Sequence, residues 1–88
     1  MVSAEFEQKA AEAKNLPSSV SQDDMLALYA LYKQATVGDN PAKDARPGVF
    51  NLKGRYKWDA WEKLRGMSQA EAEKKYIALV DELVAKYA

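Results

Sequence analysis

The chain has 88 residues, 48% hydrophobic and 30% charged, with 13 basic and 13 acidic side chains and a formal net charge of zero; that is the profile of a soluble globular protein with one core, residues 1–88 forming one domain. It has no cysteine and no histidine, which excludes disulfides, thiol nucleophiles and thiolate metal sites and removes the commonest general base and zinc ligand, leaving carboxylates, Ser, Tyr or Lys for any catalysis. No apolar run approaches the roughly 20 residues that cross a bilayer and no leader pattern opens the chain, so the expectation is a cytoplasmic protein without stable membrane insertion.

From Ser3 to about Leu16, Phe6, Ala10, Ala13 and Leu16 recur at steps of four, three and three among charged residues. This predicts an amphipathic first helix, with Glu5 and Glu7 near its positive end and Pro17 beyond its stop. Ser21 is a good N-cap for a second helix from about Gln22 to Ala35 or Thr36, with Asp23 and Asp24 in the first turn and Gly38 as the residue that closes it. Met25, Leu26, Leu28, Tyr29, Leu31 and Tyr32 cover more than one face of that helix, so it should touch neighbours on two sides.

Asp39-Asn40-Pro41 and Arg46-Pro47-Gly48 punctuate the long connection that follows. About 14 residues at roughly 3.3 Å each reach about 45 Å, enough to return along the bundle and let a third helix run parallel to the second. That third helix is expected from Lys53 or Gly54 to Leu64, with Trp58, Trp61 and Leu64 (or Arg65) stepping by three as an apolar face, the two tryptophans best read as core, and Gly66 as its end. Ser68-Gln69-Ala70-Glu71 has the form of a capping box and starts a fourth helix reaching about Lys86, with Ala72, Tyr76, Leu79 or Val80, Leu83 and Tyr87 along one stripe.

The charges are unevenly placed. Residues 1–28 carry a net −3, residues 29–66 a net +4 and residues 67–88 a net −1. The positive excess surrounds Tyr29, Tyr32 and Lys33, which fall at helical spacing and suit an aromatic ring that carries phosphate, although tyrosines so spaced also suit a half-buried rim. Lys33, Lys53, Arg55 and Lys57 converge if the second and third helices are neighbours, and otherwise form a solvated face. This local excess argues for a small anionic ligand and against a nucleic-acid footprint. No glycine-rich phosphate loop is present, and the acidic pairs Asp23/Asp24 and Asp81/Glu82 point about 100° apart on a helix, as helix-end and surface charges do.

The run Tyr29-Ala30-Leu31-Tyr32-Lys33-Gln34-Ala35-Thr36-Val37-Gly38-Asp39, followed by Lys57-Trp58-Asp59-Ala60-Trp61 and then Tyr76-Ile77, resembles the signature blocks of the acyl-CoA-binding protein family, and Phe6, Lys14 and Leu16 fit that family's first helix. The resemblance implies an all-α four-helix bundle in up-down-down-up order with a long connection between helices 2 and 3. It implies a non-enzymatic, monomeric carrier with no cofactor, whose ligand is long-chain acyl-CoA, delivered in transient encounters to enzymes that use it. It assigns Tyr29, Lys33 and Lys57 to the ribose 3′-phosphate region, Tyr32 and Tyr76 to the adenine and the pantetheine or acyl path, and Ala10, Lys14, Met25 and Leu26 to the border of the CoA and acyl groove. The chain departs from the family in having Val20 where a proline is common and in a somewhat longer segment from Asn40 to Arg46. On the residues alone, a small helical module that docks a partner helix and a carboxylate-based enzyme such as a thioesterase remain alternatives.

Overall fold

The computed structural model of the chain describes residues 2–41 and 45–87. Part of the Asn40 to Arg46 segment therefore lies outside the described residues. Among the described residues four helices make up the fold: α1 (Ala4–Ala13), α2 (Gln22–Thr36), α3 (Leu52–Glu62) and α4 (Gln69–Tyr87). None of the helices among the described residues is long and apolar enough to cross a membrane.

Their ends are set by local chemistry. Ser3 and Ser21 each accept a hydrogen bond at 3.1 Å from an amide in the first turn, that of Phe6 and that of Asp24, which satisfies donors a helix start would leave unpaired. Helix α1 ends at Ala13, three residues before Leu16, because the chain from Lys14 onward tightens into i→i+3 turns. Asn51 caps α3 through its side-chain oxygen on the Gly54 amide at 3.1 Å, so α3 begins at Leu52, ahead of the expected Lys53 or Gly54. Only half of the expected capping box forms. Ser68 accepts from the Glu71 amide at 3.1 Å, while the Glu71 carboxylate turns to Lys75 at 3.5 Å. Gly38 and Gly66 adopt φ of 97° and 92°, the left-handed conformation in which a side chain is strained.

The contacts fix the directions. The start of α1 meets the start of α4, since the Ser3 amide donates to Glu73 and Lys9 pairs with Asp81, so these two helices run parallel. At its beginning, α2 meets the end of α4 through Asp24 and Lys86 and through Ser21 and Tyr87, and its end meets the start of α4 through Ala35 and Gln69, so that pair is antiparallel. Lys57 lies over Tyr29 and the Trp61 indole reaches Gln34 and Gly38, so α3 runs parallel to α2. The result is the up-down-down-up bundle, with the connection before α3 returning the length of the molecule.

In space the helices adjoin in the order α1, α4, α2, α3. The molecule is correspondingly flat, 36 × 30 × 15 Å. Its core lies among α1, α2 and α4: Phe6, Val20, Leu28, Ala35, Ala72, Tyr76, Val80 and Leu83 are buried together. Helix α3 contributes no buried residue. Trp58 and Trp61 are half-buried, so the expectation that they form core is corrected: with only α2 beside it, α3 has one neighbour to bury a face against, and large rings on that face keep an open edge.

Candidate functional site

One stripe of α2 and one stripe of α3 face each other across a cleft of about 630 Å³. Gln22, Met25, Leu26 and Tyr29 line it from α2, and Lys53, Tyr56 and Lys57 from α3. The spacings i, i+3, i+4 and i+7 on α2 and i, i+3, i+4 on α3 bring these side chains to a common side. Much apolar surface is left open there, with Met25 52% and Tyr56 44% exposed.

At one end the cleft is strongly basic. Two ammonium groups lie over the Tyr29 ring, Lys57 Nζ at 5.2 Å and Lys33 Nζ at 6.0 Å from its centroid, and Lys33 Nζ is also 5.9 Å from the Trp61 ring. None of the ion pairs among the described residues involves Lys33, Lys53 or Lys57. Cations held against aromatic faces and left without carboxylates keep their attraction for an added anion. Arg55 stands apart from this group, outside the cleft lining and within the electrostatic reach of Asp59.

The remaining expected residues fall elsewhere. Tyr32 and Tyr29 do not share a neighbour: three positions on a helix differ by about 60° in bearing, which turns Tyr29 to α3 and Tyr32 to α1 and α4. Phe6, Tyr32 and Tyr76 form an aromatic trio, with centroids 5.6 Å apart for Phe6 and Tyr32, 4.8 Å for Phe6 and Tyr76 and 5.9 Å for Tyr32 and Tyr76. These rings bridge α1 and α2, whose backbones do not pack directly. Tyr76 is 4% exposed, and its hydroxyl makes no hydrogen bond among the described residues. Burial pushes its pKa up, with Tyr32 adding to the effect, so it stays a neutral donor at any ordinary pH. Ala10 packs partly buried against the core, and Lys14, the C-cap of α1, is exposed.

Sequence reasoning did not single out Tyr56, although Lys53, Tyr56 and Lys57 repeat the spacing that draws attention to Tyr29 and Lys33. It also missed Gln34, which is fully buried. The Gln34 amide nitrogen donates to Asp39 at 2.9 Å and to the Met67 carbonyl at 2.8 Å, while its oxygen accepts from the Trp61 indole at 3.2 Å. That indole also donates to the Gly38 carbonyl at 2.9 Å. One amide thus joins the end of α2, the end of α3 and the lead into α4, and holds Trp61 where Lys33 lies over its ring.

Asp39 completes this junction by accepting from the Gly66 amide at 2.9 Å. That bond, the Gln34 bond and the Arg65 charge hold its carboxyl below the usual range. A depressed folded pKa means that the carboxylate stabilises the fold above its unfolded pKa, near 3.9, and that this contribution is lost as pH falls through the folded value. Asp39→Asn is therefore expected to melt at a lower temperature than the parent at pH 7, with the gap narrowing below about pH 4. Thermal melts at both pH values check this, and an equal gap throughout would place the effect outside the carboxylate's charge.

A family model described as acyl CoA binding protein matches residues 3–80. The chain belongs to the acyl-CoA-binding protein family. It is 62% identical to an acyl-CoA-binding protein of Saccharomyces cerevisiae over 87 residues, covering 99% of this chain and 98% of the relative. An acyl-CoA-binding protein homolog of Drosophila melanogaster is 50% identical over 88 residues, with all of both chains covered. Among solved structures, the crystal structure of Oryza sativa acyl-CoA-binding protein 2 matches with a TM-score of 0.86 and 52% identity, covering 93% of this chain and 89% of that one. The solution structure of the yeast protein matches with a TM-score of 0.74 and 62% identity over 98% of both chains. Members of the family are named for binding and not for a reaction.

Proposed function

We propose that this protein is a monomeric, cytosolic carrier of long-chain acyl-CoA thioesters, which holds them and passes them on without chemistry. The observation that carries this reading is the Tyr29 ring with Lys33 and Lys57 over it at one end of an apolar cleft. The cation pair suits the 3′-phosphate of the CoA head, and Tyr29 suits contact with its ribose and base. Met25 and Leu26 border the apolar path beside it. Tyr32 and Tyr76 line the neighbouring aromatic floor, where the Tyr76 hydroxyl is a donor to the ligand, and Ala10 and Lys14 edge the α1 side.

The energetics favour a ligand with both parts. Burying about a dozen methylenes at roughly 0.8 kcal/mol each is worth about 10 kcal/mol before losses, and each charge-assisted hydrogen bond to phosphate adds about 1.5–3 kcal/mol. After the cost of association this supports roughly nanomolar affinity. Titration calorimetry with palmitoyl-CoA, CoA and palmitate tests the reading: palmitoyl-CoA should bind far more tightly than either fragment, with no free thiol released on incubation. Equal affinity for all three would overturn it, and release of thiol would point to a thioesterase.

A further inference from the structure

The connection before α3 ends in an apolar knuckle. Asn51 donates its amide to the Gly48 carbonyl at 3.0 Å, closing a turn with Val49 and Phe50 at its tip. Val49 is 61%, Phe50 102% and Leu52 53% exposed. A lone exposed apolar residue needs no explanation, but three within four positions on a convex turn form a point that the protein leaves uncovered.

Along the chain, the charges from residue 45 to residue 58 are all of one sign. Residues 45–58 contain four bases and no acid. Arg46 is tied to Asp59 by two hydrogen bonds, of 2.8 and 2.7 Å. Lys53 and Lys57 then follow the knuckle on one stripe of α3, and neither belongs to an ion pair among the described residues, while Arg55 lies about 160° round the helix, within the reach of Asp59.

We infer that the Val49–Leu52 knuckle and the cations behind it dock the protein on an anionic lipid bilayer. Apolar side chains at the tip of a turn reach the boundary between headgroups and acyl chains, while cations one or two turns behind them meet lipid phosphates and carboxylates. Each such cation strengthens association about fivefold near an acidic leaflet. Two cations and a small apolar tip give weak, reversible attachment. Lys53 and Lys57 also line the α2–α3 cleft, so docking brings the mouth of that cleft to the lipid surface. The inference goes beyond the proposed ligand and does not depend on it, because the attachment needs no acyl-CoA.

Cosedimentation of the full chain with vesicles of phosphatidylcholine alone, and with 30% phosphatidylserine added, tests it without ligand present. Association with the acidic vesicles alone is expected, weakened by raising NaCl from about 0.05 to 0.5 M as the screening length shortens. Phe50→Ser should lower it about tenfold or more and leave the palmitoyl-CoA titration unchanged. Since the chain has no cysteine, Phe50→Cys carries a single environment-sensitive dye. Its emission should shift to the blue on acidic vesicles, while the same dye on Glu82→Cys in α4 should not respond. Equal association with both vesicle types, no association with either, an unresponsive dye at position 50, or a parallel fall in vesicle and palmitoyl-CoA binding in Phe50→Ser would each overturn the inference.

Discussion

Replacing Phe6 by alanine is expected to remove about 3–5 kcal/mol of folding stability, the range for truncating a large ring in a packed core. The ring is 1% exposed and lies against both Tyr32 and Tyr76, so the change opens a cavity and also removes two aromatic contacts of about 0.5–1.5 kcal/mol each in favourable cases. Those contacts lie inside the range and are not added to it. A chain of this length has a total stability of about 4–13 kcal/mol, so the variant keeps only part of it, and its melting temperature should fall on the order of 20 °C. Urea titration checks this, with Phe6→Leu expected to recover most of the loss. A loss below about 1 kcal/mol would mean that α1 closes over the gap and is held chiefly by its polar ties to α4.

The second large effect falls on ligand affinity. Lys33→Ala with Lys57→Ala should weaken palmitoyl-CoA binding about a hundredfold or more, since each charge-assisted bond is worth about 1.5–3 kcal/mol and the two lysines, sharing Tyr29, are not strictly additive. Stability should stay within about 0.5 kcal/mol, because neither lysine is in an ion pair among the described residues and removing both lowers local repulsion. A 3′-dephospho ligand separates the contributions. If the lysines hold the 3′-phosphate, the parent should lose affinity for that ligand and the double variant should lose little more. If the double variant binds both ligands as tightly as the parent does, the lysines are outside the site.

Much of this was legible in the chain, and the rest was hidden for identifiable reasons. The caps at Ser21 and Ser68, the glycines at 38 and 66 and the reach of the long connection are local or nearly local signals, and they gave four helices and allowed α3 to run parallel to α2, an order that the family resemblance implied. The start of α3 was obscured because its cap is Asn51 with no acid in the following turn and Gly54 close behind. Periodicity identified an apolar face on Trp58 and Trp61 but carries no information about what covers it, which is why half-buried rings were read as core. Gln34 gave no signal at all, since its partners Asp39, Met67 and Trp61 lie 5, 33 and 27 positions away. The convergence of Lys33 and Lys57 depended on α2 and α3 being neighbours, which the residues permit and only the fold fixes.

Helix α3 rides on α2 without placing a side chain in the sealed interior. Asp59 and Trp61 are tied to Arg46 and to Gln34 and Gly38, but Lys53, Tyr56 and Lys57 face the cleft and leave the interior of the scaffold untouched. Substitutions there can reshape the cavity wall at little thermodynamic cost, whereas changes among α1, α2 and α4 disturb the interior directly. Under the proposed function, ligand preference thus has one wall that can vary with little disturbance of the rest of the architecture.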